Sequence, residues 1–131
     1  MRILRPRDFA KRAAKLNVTD GNLIEAISRA ERDLIDAQLG LALIKQCIPR
    51  DGQGRSGGFR SIIAYGRGEI AIFLHLSAKN TEANLTKAET QVYRDLAATL
   101  ISLSDEALMC VAAAQSRRRI DDGEHEENRP Q

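Results

Sequence analysis

Hydrophobic positions along this chain repeat with two different periods, and each change of period marks a change of element. Arg7 to Leu16 reads as a short basic helix, with Pro6 suited to its first turn. Thr19 or Asp20 can cap a second helix, in which Leu23, Ile27, Ala30 and Leu34 recur at helical spacing, and Gly40 is expected to end that unit. Three β-rich runs follow: Leu43 to Ile48, Phe59 to Tyr65 and Glu69 to Ser77. Gly66-Arg67-Gly68 separates the last two and predicts a hairpin turn. Thr86-Lys87-Ala88-Glu89 has capping-box spacing and opens a third helix with Val92, Leu96, Leu100 and Leu103 as its core stripe. Ser104 is expected to cap a fourth helix through Leu108, Val111 and Ala112.

Strand alternation then sorts side chains by face. In the last strand, Ile70, Ile72, Leu74 and Leu76 are expected on the core side, with Ala71, Phe73, His75, Ser77 and Lys79 on a mixed side. On the preceding strand Arg60 shares its face with Ile62 and Ala64, and Phe59 with Ile63 and Tyr65. The predicted class is α+β: a small antiparallel sheet with N-terminal helices packed on it and C-terminal helices after it. Residues 1–115 are expected to form one domain, and 116–131 a charged, disordered tail, because the acidic run after Arg119 lacks periodicity.

Composition narrows the class. The chain has 131 residues, 43% of them hydrophobic and 29% charged, which suits one globular domain. No apolar run reaches membrane-spanning length, and the basic N-terminus lacks the apolar segment of a secretion signal. Cys47, Cys110 and two histidines show no metal-ligand spacing. The expectation is a reduced, cytoplasmic protein with no metal, no cofactor and no membrane partner.

The net charge of +2 conceals a division. Residues 1–15 carry six Lys/Arg against one Asp, and residues 45–68 carry five against one, while 120–131 is acidic. Two basic segments that meet in space would form a polyanion-binding surface. The sharper signal lies inside the second. Arg50 to Arg60 packs four glycines and three arginines into eleven residues, directly ahead of an apolar strand. Glycine lets a backbone approach a ligand closely, and arginine is a permanent cationic fork matched to phosphate oxygens.

Ser/His/Asp catalysis is not suggested, and the glycine loop leads into a strand without the Gly-Lys-Ser/Thr of a P-loop. A dense set of cations remains. RNA can be cleaved without metal when its own 2′-hydroxyl attacks the phosphate; the protein must then move protons and neutralise developing charge. Lys45, His75 and Lys79 are the proton-transfer candidates, with Arg60 and Arg55 for the phosphate. Each also has an ordinary reading. Arg60 suits a solvated strand start, Lys45 an outward strand position, and His75 a half-exposed sheet position. By themselves these residues support a small basic binding domain.

Gly52-Gln53-Gly54-Arg55-Ser56-Gly57-Gly58-Phe59-Arg60, Ala64-Tyr65, Phe73-Leu74 and Ala78-Lys79-Asn80 together closely resemble the RelE/HigB-type toxins of bacterial toxin–antitoxin modules. The likeness extends from about Arg2 to Leu108, including the helix start at Asn84-Leu85-Thr86. It implies a compact sheet with helices on one side, and an endoribonuclease that cuts mRNA on the ribosome. It also implies neutralisation by a cognate antitoxin, often a helix-turn-helix protein. By position, Arg60 matches the strand arginine at the scissile phosphate, Lys79 the lysine ending the last strand, and Lys45 a strand that carries basic catalytic residues. Arg50, Arg55, Arg67 and Asn80 join Arg60 as expected RNA contacts. The chain departs where the RelE subgroup has an arginine after that lysine and a tyrosine six positions on: here stand Asn80 and Thr86, with Thr81 preceding Glu82. A ParE-like gyrase poison and a non-catalytic RNA- or antitoxin-binding member of the superfamily are the alternatives.

Overall fold

The computed structural model describes residues 1–50, 54–78, 85–103, 107 and 118–120, with backbone only at 50, 54–57 and 118–120. The elements are β1 (Arg2–Arg5), α1 (Arg7–Lys15), α2 (Asp20–Glu31), β2 (Ala37–Gly40), β3 (Leu43–Arg50), β4 (Gly54–Gly66), β5 (Ile70–Ala78), α3 (Lys87–Ser102) and β6 (Arg118–Ile120). The strands form one sheet in the order β2-β3-β4-β5-β1-β6. Neighbours from β2 to β5 run antiparallel, as expected for this α+β class, while β1 joins β5 in parallel and makes the sheet mixed. Among the described residues no helix is long and apolar enough to cross a membrane. The expected fourth helix and the tail beyond Ile120 lie outside the described residues. Arg118–Ile120, in the stretch expected to be tail, pairs with β1.

Helices lie on both faces of the sheet, where the resemblance had implied one. Phe9 and Ala13 of α1, and Leu23, Ala26, Ile27 and Ala30 of α2, bury one face together with Ile44, Ile48, Phe59, Ile63, Tyr65, Phe73 and Leu76. Ala97 and Leu100 of α3 cover Leu43, Ile62, Ala64, Ile70 and Ile72 on the other. Ile3 and Leu4 of β1 point into different cores and both are buried, which is how an interior parallel strand packs.

Three expectations change. First, α2 stops at Glu31, and Leu34 is exposed. Asp33 takes φ 65°, the N–H groups of Arg32, Asp33 and Leu34 turn back onto Arg29 and Ala30 carbonyls, and the chain leaves as edge strand β2. Second, α3 buries Ala97 and Leu100, with Tyr93 and Ile101 partly buried beside them; Val92 and Leu96 face solvent. Third, β5 does not alternate throughout. Ile62 pairs with His75 but Ile63 pairs with Phe73, so Leu74 is an extra residue, a β-bulge. Beyond it the phase flips. His75 and Ser77 join the face of Arg60 and Ile62, and Leu76 joins Phe73 beneath α1 and α2.

A buried polar network ties α2 to β3. Gln46 is fully buried, donates to the carbonyls of Ala26 (2.9 Å) and Leu34 (3.2 Å), and accepts from the Asp36 N–H (2.7 Å). Asp36 in turn accepts from the Cys47 N–H at 2.7 Å, and Arg29 pairs with Asp36 and Glu25 while donating to the Cys47 carbonyl. Replacing Gln46→Leu keeps approximate volume but orphans the Asp36 N–H. A loss of about 1–3 kcal/mol in urea unfolding is expected; an unchanged midpoint would contradict the assigned role.

Candidate functional site: a cationic pocket on the α3 face

The re-phased half of β5 builds one wall of a pocket. Lys45, Ile62 and His75 form one row across β3, β4 and β5, and Cys47, Arg60 and Ser77 form the next. With strands about 4.8 Å apart, Lys45 and His75 are roughly 10 Å apart at the backbone, close enough for both side chains to serve one phosphate. The pocket has a volume of about 200 Å³ and is lined by Leu39, Lys45, Arg60, Ile62, His75, Ser77, Leu85 and Thr90.

The pocket opens where α3 begins. Near the helix C-terminus, Ile101 lies against the Gly66 end of the hairpin. At the helix start, Leu85 and Thr90 border the pocket together with Arg60. The start is well determined: Thr86 Oγ1 accepts from the Glu89 N–H at 3.0 Å, and Glu89 accepts from the Thr86 N–H at 2.9 Å. Arg94 donates to the Leu39 carbonyl and anchors the helix to β2. Among the described residues no carboxylate lines the pocket, whereas Lys45, Arg60 and His75 all do. The positive end of the α3 dipole adds to that field. Such a site attracts a phosphate and strengthens as water leaves it.

Other candidate residues lie elsewhere. Arg67 sits at the hairpin turn, paired with Asp33, beyond the far end of β4 from Arg60. That turn is held down by Glu31, which accepts from the Tyr65 hydroxyl and from the Gly68 N–H (3.0 Å). Burial first, then the Glu31 hydrogen bond and charge, push the Tyr65 phenol above its ordinary pKa. Lys79 and Asn80 lie outside the described residues, as do the side chains of Arg50 and Arg55. Three contributors were not singled out from sequence. Leu39 lies on a strand too short to read, Leu85 precedes the helix, and Thr90 shares a flank with Tyr93 that the Val92/Leu96 stripe obscured.

Gly58, within the glycine-arginine segment, has a specific steric cause. A Cβ there would lie 2.0 Å from the Ile48 carbonyl oxygen. The β3–β4 register shifts between Ile48 and Arg50, so β4 presses its backbone onto β3 just before Phe59 and Arg60. The glycine fixes the ladder that aims Arg60.

Over residues 1–120 the sequence matches the family described as the RelE toxin of the RelE/RelB toxin–antitoxin system. No curated protein matches the chain. The chain belongs to the RelE toxin family; it is a toxin of a toxin–antitoxin system, and a cognate antitoxin is its partner.

Gly58→Ala sets a methyl against backbone rather than a yielding side chain. It is expected to lower unfolding stability by about 1–3 kcal/mol or more. A Gly58→Ala protein with wild-type denaturant midpoint would show that the close approach is relaxed in solution.

Proposed function

We propose that this member of the RelE toxin family is a metal-independent endoribonuclease that cuts mRNA on the ribosome. The observation that carries the reading is the convergence of Lys45, Arg60 and His75 in one pocket. RNA supplies its own nucleophile, the 2′-hydroxyl beside the scissile phosphate. As the 2′-oxygen attacks phosphorus, negative charge grows on the phosphoryl oxygens, and the guanidinium of Arg60 neutralises it. A proton leaves the 2′-oxygen and another reaches the departing 5′-oxygen. Lys45, His75 and, by its place in the family motif, Lys79 are the groups able to carry them. Arg50, Arg55 and Asn80 would add contacts to the RNA.

One departure from the RelE subgroup has a structural counterpart. The position that carries a tyrosine there is Thr86, which caps α3. Proton transfer therefore rests on sheet residues of this chain, and the gyrase-poison and binding-only alternatives are outcomes of the same experiment.

The wild-type chain and Arg60→Ala are induced in cells, with mRNA 5′ ends and DNA supercoiling followed together. Growth arrest with new ribosome-dependent cuts is expected for wild type, and a drop on the order of 10²–10³ in cutting for the variant. Arrest with intact mRNA and gyrase damage would favour the ParE-like alternative. A folded chain that causes no arrest would favour the binding-only one.

A further inference from the structure

His75 sits immediately after the bulge at Leu74, and its pairing with Ile62 puts it on the α3 face. There its ring meets another. The ring that meets it belongs to Tyr93 on α3, with centroids 6.0 Å apart and planes tilted by 46°. Tilted aromatic pairs at this separation attract. Tyr93 lies one turn beyond Thr90, so a single flank of α3 both lines the pocket and backs the imidazole. The helix cannot slide freely, because Arg94, the next residue, donates to the Leu39 carbonyl and packs against Gly40. The phenol is partly buried and its pKa is raised, by burial first and then by the charge of Glu89. It therefore stays neutral and presents an uncharged ring. Among the described residues, Lys45 from β3 and Arg60 from β4 share the pocket with His75, and Glu89 from α3 acts on the far partner, Tyr93.

We infer that Tyr93 is a positioning residue: its ring holds the His75 imidazole over the pocket floor beside Lys45 and Arg60. The role rests on the RNA-cleavage reading above, but its signature can be read without cleavage. Tyr93→Phe keeps the ring. Tyr93→Leu and Tyr93→Met remove it while keeping an apolar side chain, and two such variants guard against one that does not fold.

Three measurements are made on each folded variant. The His75 ring resonances are recorded by NMR in the free protein, then with a 2′-O-methyl RNA that cannot be cut, and ribosome-dependent cleavage is timed. In wild type and Tyr93→Phe, the imidazole is expected to show ring-current-shifted resonances that respond to the RNA. In the Leu and Met variants the ring-current shift is lost, and kcat falls at least ~10-fold, part of the 10²–10⁴ that a proton-transfer group supplies, with KM little changed. Unchanged His75 resonances in those variants, or wild-type kcat despite a lost ring-current shift, would overturn the role. If wild type cuts no RNA, the cleavage reading fails by itself, and the 2′-O-methyl RNA response decides: its presence in wild type and loss in the Leu and Met variants sustains the positioning, and its absence in wild type removes it.

Discussion

Leu74 has no partner on β4, and the pocket depends on that one extra residue. Phe73 and Leu76 are both fully buried beneath the α1/α2 layer, three positions apart in a strand. Pure alternation cannot place both on one face; a bulge between them can. The hydrophobic cost of exposing either side chain, about 1.5–3 kcal/mol, therefore favours the irregularity. The Phe9 ring, 5.1 Å from that of Phe73, and the Arg12 guanidinium, donating to the Leu76 carbonyl at 2.7 Å, hold the two halves in place. The same step turns His75 and Ser77 toward α3 and brings them level with Arg60. Core packing on one side of the sheet thus sets the chemistry available on the other.

The two helical layers divide the work. On the α1/α2 side the sheet is covered from Ile48 to Tyr65, and the Gln46–Asp36–Arg29 network secures β3 at its middle. Lys45 and Cys47 flank Gln46 in sequence and point the opposite way, so the anchor of β3 is also the support of the pocket's lysine. On the other side α3 covers the hairpin end, and its first turns border the pocket that holds Arg60. The result is a sheet floor carrying a cationic pocket, the arrangement that a phosphodiester in an extended strand can enter. Within a family of toxins neutralised by antitoxins, it is the feature that most favours RNA as the substrate.

Much of this was legible in the chain before its fold. The capping box at Thr86, a helix start at Thr19 or Asp20 (the structure takes Thr19), the Gly66–Gly68 turn and the faces of β4 follow from local chemistry that tertiary structure did not override. Arg60, Lys45 and His75 were legible as candidates because few other groups could do the chemistry. Their convergence was not, because it depends on a bulge that no residue type announces. Strand β1 was hidden by its charge and β2 by its length of four residues. The α3 face was ambiguous because Leu100 belongs to both the Val92–Leu96 and the Tyr93–Ala97 stripes; the less apolar stripe is the buried one, since Tyr93 packs against His75.

The chemistry of the cut ends is the most direct measure of whether this pocket works as proposed. Ribosome-bound mRNA exposed to the purified toxin should yield an upstream fragment ending in a 2′,3′-cyclic phosphate or its opened monophosphate, and a downstream fragment with a 5′-hydroxyl. A single 2′-deoxy substitution at the cut should abolish the product. A 5′-phosphate on the downstream fragment, or undiminished cutting at the 2′-deoxy position, would mean that water rather than the RNA's own 2′-oxygen attacks, and that the Lys45–Arg60–His75 pocket does not act as described.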